Sequence, residues 1–294
     1  MAEVYELNNG AVVFILPRGG ELFPQVLTRV DDNALTRLEQ CAKRWPLENS
    51  EVLVELKASI DQNPGKAHWL ACDTAFFVNL PLATSTYALP GDMRAQGFRK
   101  FGVNGIHHQW AAEQFPAAER IVSVCLNDAP NAAAIVNREA VDTTGGYSLL
   151  DGLPGRSTCG SIDPSIILVL AEAGYSAEKI ETALHQESGY QGLTGSSVPI
   201  NELLSGSDPA TSLAREILLH ELVKAIGAML ASLGGAERIV IGSEGIEENN
   251  KFIGSLRSHL AFTGIPVSFL NEERETIVRS IHKKIDIELT NHVI

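Results

Sequence analysis

Residues 4–16 form two short apolar-rich runs either side of the turn signal Asn8-Asn9-Gly10, a pattern that predicts two strands joined at a turn and closed by Pro17 and Gly19-Gly20. Asp31-Asp32-Asn33 then offers a cap for a helix reaching about Trp45, with Leu35, Leu38 and Cys41 on one face. A second helix is predicted near 52–60, and the apolar run 68–77 suits a buried strand. Pro81, Pro90 and Gly91 mark a loop. Beyond residue 97 the pattern becomes strand, loop, helix. Strands are predicted at 120–126 and 132–136, and helical periodicity runs through 164–173 and 177–186. The clearest element is a helix over 209–233, opened by Ser207-Asp208-Pro209 and stopped by Gly234-Gly235. Its apolar face reads Leu213, Ile217, Leu218, Val223, Ile226, Met229 and Leu230. A strand at 238–241 runs into the loop 242–250, and this alternation of strands and helices predicts an α/β protein.

Composition narrows the function classes. With 294 residues, 45% hydrophobic and 20% charged, the chain can bury one or two sizeable cores. A formal charge of −13 opposes binding to nucleic acid and to anionic membranes, so neither is expected as a partner. Four cysteines (Cys41, Cys72, Cys125, Cys159) lie far apart and never as CxxC, which predicts free buried thiols in a reducing cytosol. The first ten residues lack the basic start and apolar run of a signal peptide, and no apolar stretch approaches the roughly 20 residues of a bilayer span. A cytoplasmic location is expected.

The chemistry-bearing strings are few. His220-Glu-Leu-Val-Lys224 has a lysine where a zinc-protease motif needs its second histidine, so it predicts helix packing. The adjacent pair His107-His108 diverges on any regular backbone. Neither GxxxxGK[ST] nor GxGxxG is present. The loop from Gly242 to Asn249 sits between a strand and a helix, where backbone amides can cradle phosphate, but Glu244, Glu247 and Glu248 oppose a polyphosphate there.

Several strings in order resemble the acetate kinase family. Gly19-Gly20-Glu21 with Val26-Leu27 is similar to HGGE…SVL, and Asp73-Thr-Ala-Phe76 before Leu80-Pro81 resembles DTAFH-x-TMP. Tyr87-Ala-Leu-Pro90 and Phe101-Gly102…His108 match the frame around YGFHGTSH. Asp142-Thr143-Thr144-x-Gly146 resembles DTSMG, and Gly160-x-Ile-Asp-Pro164 resembles GDIDP. Gly192-Leu-Thr194, Gly245-Ile-x-Glu-Asn249 and Asn271-Glu-Glu273 are similar to later family strings.

The resemblance implies a ribonuclease-H-like fold of the actin-like ATPase (sugar kinase, Hsp70, actin) superfamily. It implies a C-terminal acyl-kinase domain over 96–271 that is near complete, and a reduced N-terminal domain over 1–95 joined by about 272–294. The family phosphorylates acetate with a nucleoside triphosphate and magnesium. Of its functional positions, Asp73, His108, the loop from Gly245 to Asn249, and Glu272 or Glu273 keep matching residue types. The carry-over makes Asp73 and His108 catalytic candidates, Gly245 and Asn249 nucleotide- or phosphate-binding candidates, and Glu272 and Glu273 metal candidates.

Elsewhere the pattern departs. The family's substrate-side arginine falls at Ile15, and its histidines fall at Glu48, Asn104 and Cys125. Leu126-Asn-Asp-Ala129 replaces a glycine turn, and the acid and arginine around the nucleoside fall at Pro199 and Asn201. The second catalytic arginine falls at Thr158, with Arg156 two residues earlier as its stand-in, and the family's first metal-side loop has no counterpart string. Because one positioned cation in phosphoryl transfer is worth about 10³–10⁵ in rate, these losses predict a non-catalytic binding or assembly protein with very low acetate kinase activity. The alternative is a phosphotransferase or acyl-phosphate enzyme for another small carboxylic acid, with Mg-ATP as its cofactor if active. A further possibility is a split enzyme completed by another chain. The expected partners are a second copy, as a homodimer, and a protein partner.

Overall fold

The computed structural model describes residues 2–7, 9–206 and 208–271, and the single positions 277, 280 and 283. The chain divides into two compact units. One takes Met1–Asn79, Val103–Trp110 and Arg274–Ile294, and the other takes Leu80–Gly102 and Ala111–Glu273.

The first unit holds a four-stranded sheet in the order β1-β2-β4-β3, from β1 (Val4–Glu6), β2 (Val12–Leu16), β3 (Leu27–Arg29) and β4 (His68–Cys72). β2 and β4 run parallel, while β1 and β3 flank them antiparallel. Every residue of β2 and β4 is buried, as expected of a parallel pair at the centre of a sheet. Helices α1 (Asp32–Arg44) and α2 (Pro46–Gln62) supply Leu38, Cys41 and Leu56 to a core with Phe14, Leu16 and Leu70. The Asp31 carboxylate caps α1 by accepting from Ala34 N at 2.7 Å.

Two expectations change here. The second helix starts at Pro46 rather than near 52, because a proline is tolerated at the first helical position while the exposed Leu47 blurs the periodicity. The predicted strand over 68–77 stops at Cys72, and Asp73–Phe77 is a 3₁₀ turn. Thr74 Oγ1 accepts from Gly19 N and Gly20 N at 3.1 and 2.9 Å, which turns the chain out of the sheet.

After the short helices α3 (Leu82–Ser85) and α4 (Gly91–Arg94) comes α5 (Gly105–Glu113). The second unit is a five-stranded sheet in the order β7-β6-β5-β8-β9. Its strands are β5 (Ile121–Leu126), β6 (Asn131–Val136), β7 (Glu139–Thr143), β8 (Arg238–Ser243) and β9 (Val267–Asn271). β5, β8 and β9 are parallel, whereas β6 and β7 are antiparallel additions. Half-polar β7 gave no strand signal in the sequence. The helices here are α6 (Pro164–Glu172), α7 (Ala177–Gln186), α8 (Gly189–Thr194), α9 (Ile200–Ser205), α10 (Pro209–Leu233) and α11 (Lys251–Leu260).

Helix α10 lies on β6, where Ala132, Ala133 and Ala134 are fully buried, and such small side chains let a helix approach a strand closely. Leu218, Leu222, Ala225, Ile226 and Met229 face that core, but Leu213, predicted on the apolar face, is 55% exposed. The four cysteines are free, three buried and Cys159 half-buried. Burial pushes the Cys41 thiol up to about 12, which keeps it protonated and unreactive near neutral pH. Among the described residues no helix is long and apolar enough to cross a membrane.

Candidate functional site

Ligands of open α/β sheets bind outside the carboxyl ends of the parallel strands. In the second unit those ends are the segments after β5 and β8. Asp128, just beyond β5, makes three attachments. Its Oδ2 lies 2.9 Å from Arg156 Nη1, its Oδ1 accepts from Ile200 N at 2.9 Å, and its carbonyl accepts from Arg156 N at 2.7 Å. A string read as the mere replacement of a glycine turn therefore fixes both Arg156 and the start of α9. Sequence reasoning missed Asp128, and its one signal was a lone acid directly after a buried strand.

The loop bearing Arg156 rests on the start of α8. Tyr190 N donates to the Gly155 carbonyl at 3.0 Å, and Gln191 N donates to the Arg156 carbonyl at 2.8 Å. Thr158, at the position where the family's arginine would fall, contributes its carbonyl to Gly155 N within the same loop. Arg156 and Asp128 remain about 42% and 41% exposed. An exposed pair of this kind is worth at most about 1 kcal/mol, so it orients the guanidinium more than it stabilises the fold.

Beyond β8, Gly245 adopts φ +72°, and a side chain there would meet Asn201 Nδ2 at 3.4 Å. The first two residues of α9 thus join the predicted positions: Ile200 binds Asp128, and Asn201 lies against Gly245. Of the three acids that opposed phosphate in this loop, Glu248 is neutralised by Arg257, while Glu244 and Glu247 are exposed. Asn249 borders a cavity of about 610 Å³ lined also by Arg215, Glu216, Ser212, Asn250 and Lys251. Arg215 Nη1 donates to the Leu203 carbonyl at 3.2 Å and to Thr211 Oγ1. Ser212 Oγ donates to Glu216 Oε1 at 2.9 Å. Arg215 and Lys251 were not among the predicted nucleotide-binding residues, because nothing in the chain order places α10 and α11 at one opening.

In the first unit, the carboxyl ends of parallel β2 and β4 carry Pro17–Glu21 and the Asp73 turn. A side chain at Gly20 would stand 2.6 Å from the Thr74 carbonyl, so only glycine allows this approach. Arg18, also missed in the sequence, is 2% exposed with its guanidinium 5.7 Å from the Trp45 ring, and Asn49 clamps its main chain from both sides. Asp73, a catalytic candidate by the resemblance, has its Oδ1 accepting from Ile106 N at 3.2 Å, in the first turn of α5. Asp73→Ala is therefore expected to cost about 1–2 kcal/mol, the usual loss of a helix cap, read as a lower denaturant midpoint at unchanged slope.

His108 lies in the same helix and is fully buried, edge-on to Phe77 at 6.0 Å and to His107 at 5.7 Å. Asp73 and His108 thus share one helix start, while Arg156, Gly245 and Asn249 lie in the other unit. Glu272 and Glu273 lie outside the described residues. Among the described residues no group of three or more His, Cys, Asp or Glu side chains could hold a metal ion.

Comparison with known proteins gives the site its context. The model of the Acetokinase family matches residues 10–288. "Acetate kinase 1" of Vibrio cholerae is 35% identical over 263 residues, covering 85% of this chain and 65% of its own length. The chain spans about two thirds of the length of the curated relatives it matches. Porphyromonas gingivalis acetate kinase superposes with a TM-score of 0.84 at 24% identity, over 96% of this chain and 80% of that one. A propionate kinase from Francisella tularensis gives 0.81 at 22% identity, over 90% and 76%. The fold is that of the actin-like acyl kinases, as the ordered strings implied. The expectation of a non-catalytic binding or assembly protein is overturned. Relatives at 29–35% identity over most of the chain are named acetate kinases.

Proposed function

The chain belongs to the acetokinase family, and from that premise we propose that it is a phosphotransferase acting between a nucleotide and the carboxylate of a small carboxylic acid. The cavity beside Asn249 carries this reading. In a chain of formal charge −13, it gathers Arg215 and Lys251 against a single carboxylate, Glu216, beside Asn249 of the loop that follows β8.

The chemistry asks little of acid–base groups. A small carboxylic acid, with a pKa of about 4, is already an anion at neutral pH and needs no base to become a nucleophile. Its oxygen attacks the terminal phosphorus, the bond to the nucleoside diphosphate breaks, and an acyl phosphate forms. What such a transfer needs is position and positive charge. Replacement of family histidines by Asn104 and Cys125 is then compatible with turnover, and Arg156 is the cation held at the end of β5. Magnesium enters as part of the nucleotide substrate. It commonly binds through phosphates and one or two carboxylates, so the lack of a three-ligand cluster among the described residues is no obstacle.

The test is acyl-phosphate formation, trapped as the hydroxamate, with Mg-ATP or Mg-GTP and acetate, propionate or butyrate. Product above the protein-free rate with at least one acid is expected. No product with any pairing would end this reading.

The homodimer belongs to the same proposal. Helix α6 buries none of its residues and exposes Ile166, Ile167, Leu168 and Val169, with Leu168 63% exposed. On a strongly anionic chain this uncharged face is where two copies can meet without repulsion, and a twofold contact pairs the same patch with itself. Light scattering is expected to give twice the chain mass, and Leu168→Glu should shift it to the monomer. A wild-type monomer at micromolar concentration would refute the dimer.

A further inference from the structure

The cavity between α10 and α11 carries a finer assignment. Two adjacent stripes of α10 line it: Ser212 and Glu216 on one, Arg215 on the next, with Lys251 entering from the first turn of α11. Their groups are only partly committed. Arg215 spends Nη1 on the Leu203 carbonyl and Thr211, and Glu216 holds the Ser212 hydroxyl with Oε1. Lys251 makes no ion pair among the described residues. The opening therefore offers two cationic donors, Arg215 and Lys251, and one carboxylate acceptor, Glu216, with Leu204 and Phe252 as apolar lining.

We propose that this cavity reads the base of the phosphoryl donor and favours guanine over adenine. The inference rests on the nucleotide-dependent reading above. Guanine offers O6 and N7 as acceptors, the edge that arginine and lysine recognise best, while its N1–H and N2 amine form a donor pair for a carboxylate. Adenine keeps N7 as an acceptor but sets an N6 amine donor in place of O6, and its N1 points an acceptor at the carboxylate. A volume of about 610 Å³ falls within the range that small-molecule pockets occupy.

The experiment is calorimetric titration of the purified chain with the magnesium complexes of GDP, IDP and ADP. GDP is expected to bind about tenfold tighter than ADP, one good hydrogen-bond pair in a partly open site, with IDP between them because it lacks the N2 amine. Glu216→Gln should bring GDP and ADP to within about twofold while leaving the circular dichroism unchanged. Lys251→Met, at an exposed position, is the second variant and should lose part of the same preference. Equal or tighter binding of ADP, or a preference untouched by both variants, overturns the base assignment and leaves the phosphotransfer reading standing. Failure of all three diphosphates to bind overturns both.

Discussion

Replacing Arg156 with alanine is expected to lower the turnover of acyl-phosphate formation by about 10²–10³-fold, while the KM for nucleotide stays within about threefold of wild type. The expectation rests on where the guanidinium is held. Asp128 grips it at 2.9 Å, and Asp128 is itself fixed by Ile200 N at the start of α9, so the cation sits at the carboxyl end of β5 instead of wandering in solvent. Arginine fingers fully enclosed at a phosphoryl group supply about 10³–10⁵. Arg156 is about 42% exposed, which places its effect at or below the bottom of that range. Arg156→Lys keeps the charge but loses the planar fork, and should fall between the two. Asp128→Asn should reduce turnover through misplacement of Arg156, more at low ionic strength than at high, because salt already screens the pair in the wild type. Steady-state kinetics decide the matter. If Arg156→Ala retains a third or more of wild-type turnover, the cation acts elsewhere and the pair with Asp128 is a surface bridge.

The second large effect is expected at Gly189. It opens α8 with φ +62°, and a methyl group there would lie 2.1 Å from the Gly155 carbonyl, 2.8 Å from that of Thr158 and 3.0 Å from that of Arg156. Two costs combine in Gly189→Ala. The left-handed backbone costs about 1–2 kcal/mol, and overpacking against three main-chain oxygens adds about 1–3 kcal/mol because backbone cannot swing aside as a side chain can. A drop in melting temperature of roughly 10 °C follows for a unit of this size. Activity should fall as well, since the displaced oxygens belong to the loop that presents Arg156. Gly174→Ala is the control: φ is +88°, but nothing lies within 4 Å, so it bears the backbone cost alone. Equal melting shifts for the two variants would show that the loop does not rest on Gly189 as described.

The two substitutions also show why counting residues against a family pattern misled. Thr158 marks an arginine gone from its expected place, and from the string alone the loss looks disabling. The tertiary structure holds Arg156 at the strand end through Asp128, an aspartate that the pattern had no use for. Linear order records which side chain stands at a position. It does not record what holds that side chain in space.

Much of the architecture was nonetheless legible in the chain. Periodicity and punctuation are local properties, so α1 with its Asp31 cap, α10 between Pro209 and Gly234, and the buried runs of β2, β5 and β8 follow from neighbours within a few residues. The order of Gly, Pro and apolar strings was enough to identify the family, because those positions fix backbone paths that the whole fold shares. What the sequence could not supply were relations between distant segments. Asp73 accepts from Ile106 N, 33 residues away. His108 is packed against Phe77 with no exposed surface. Arg215 and Lys251 line one cavity because α10 and α11 converge. Such pairings depend on the path of the backbone through space, along which separation in sequence carries almost no information, and they decided where the charges of this protein meet.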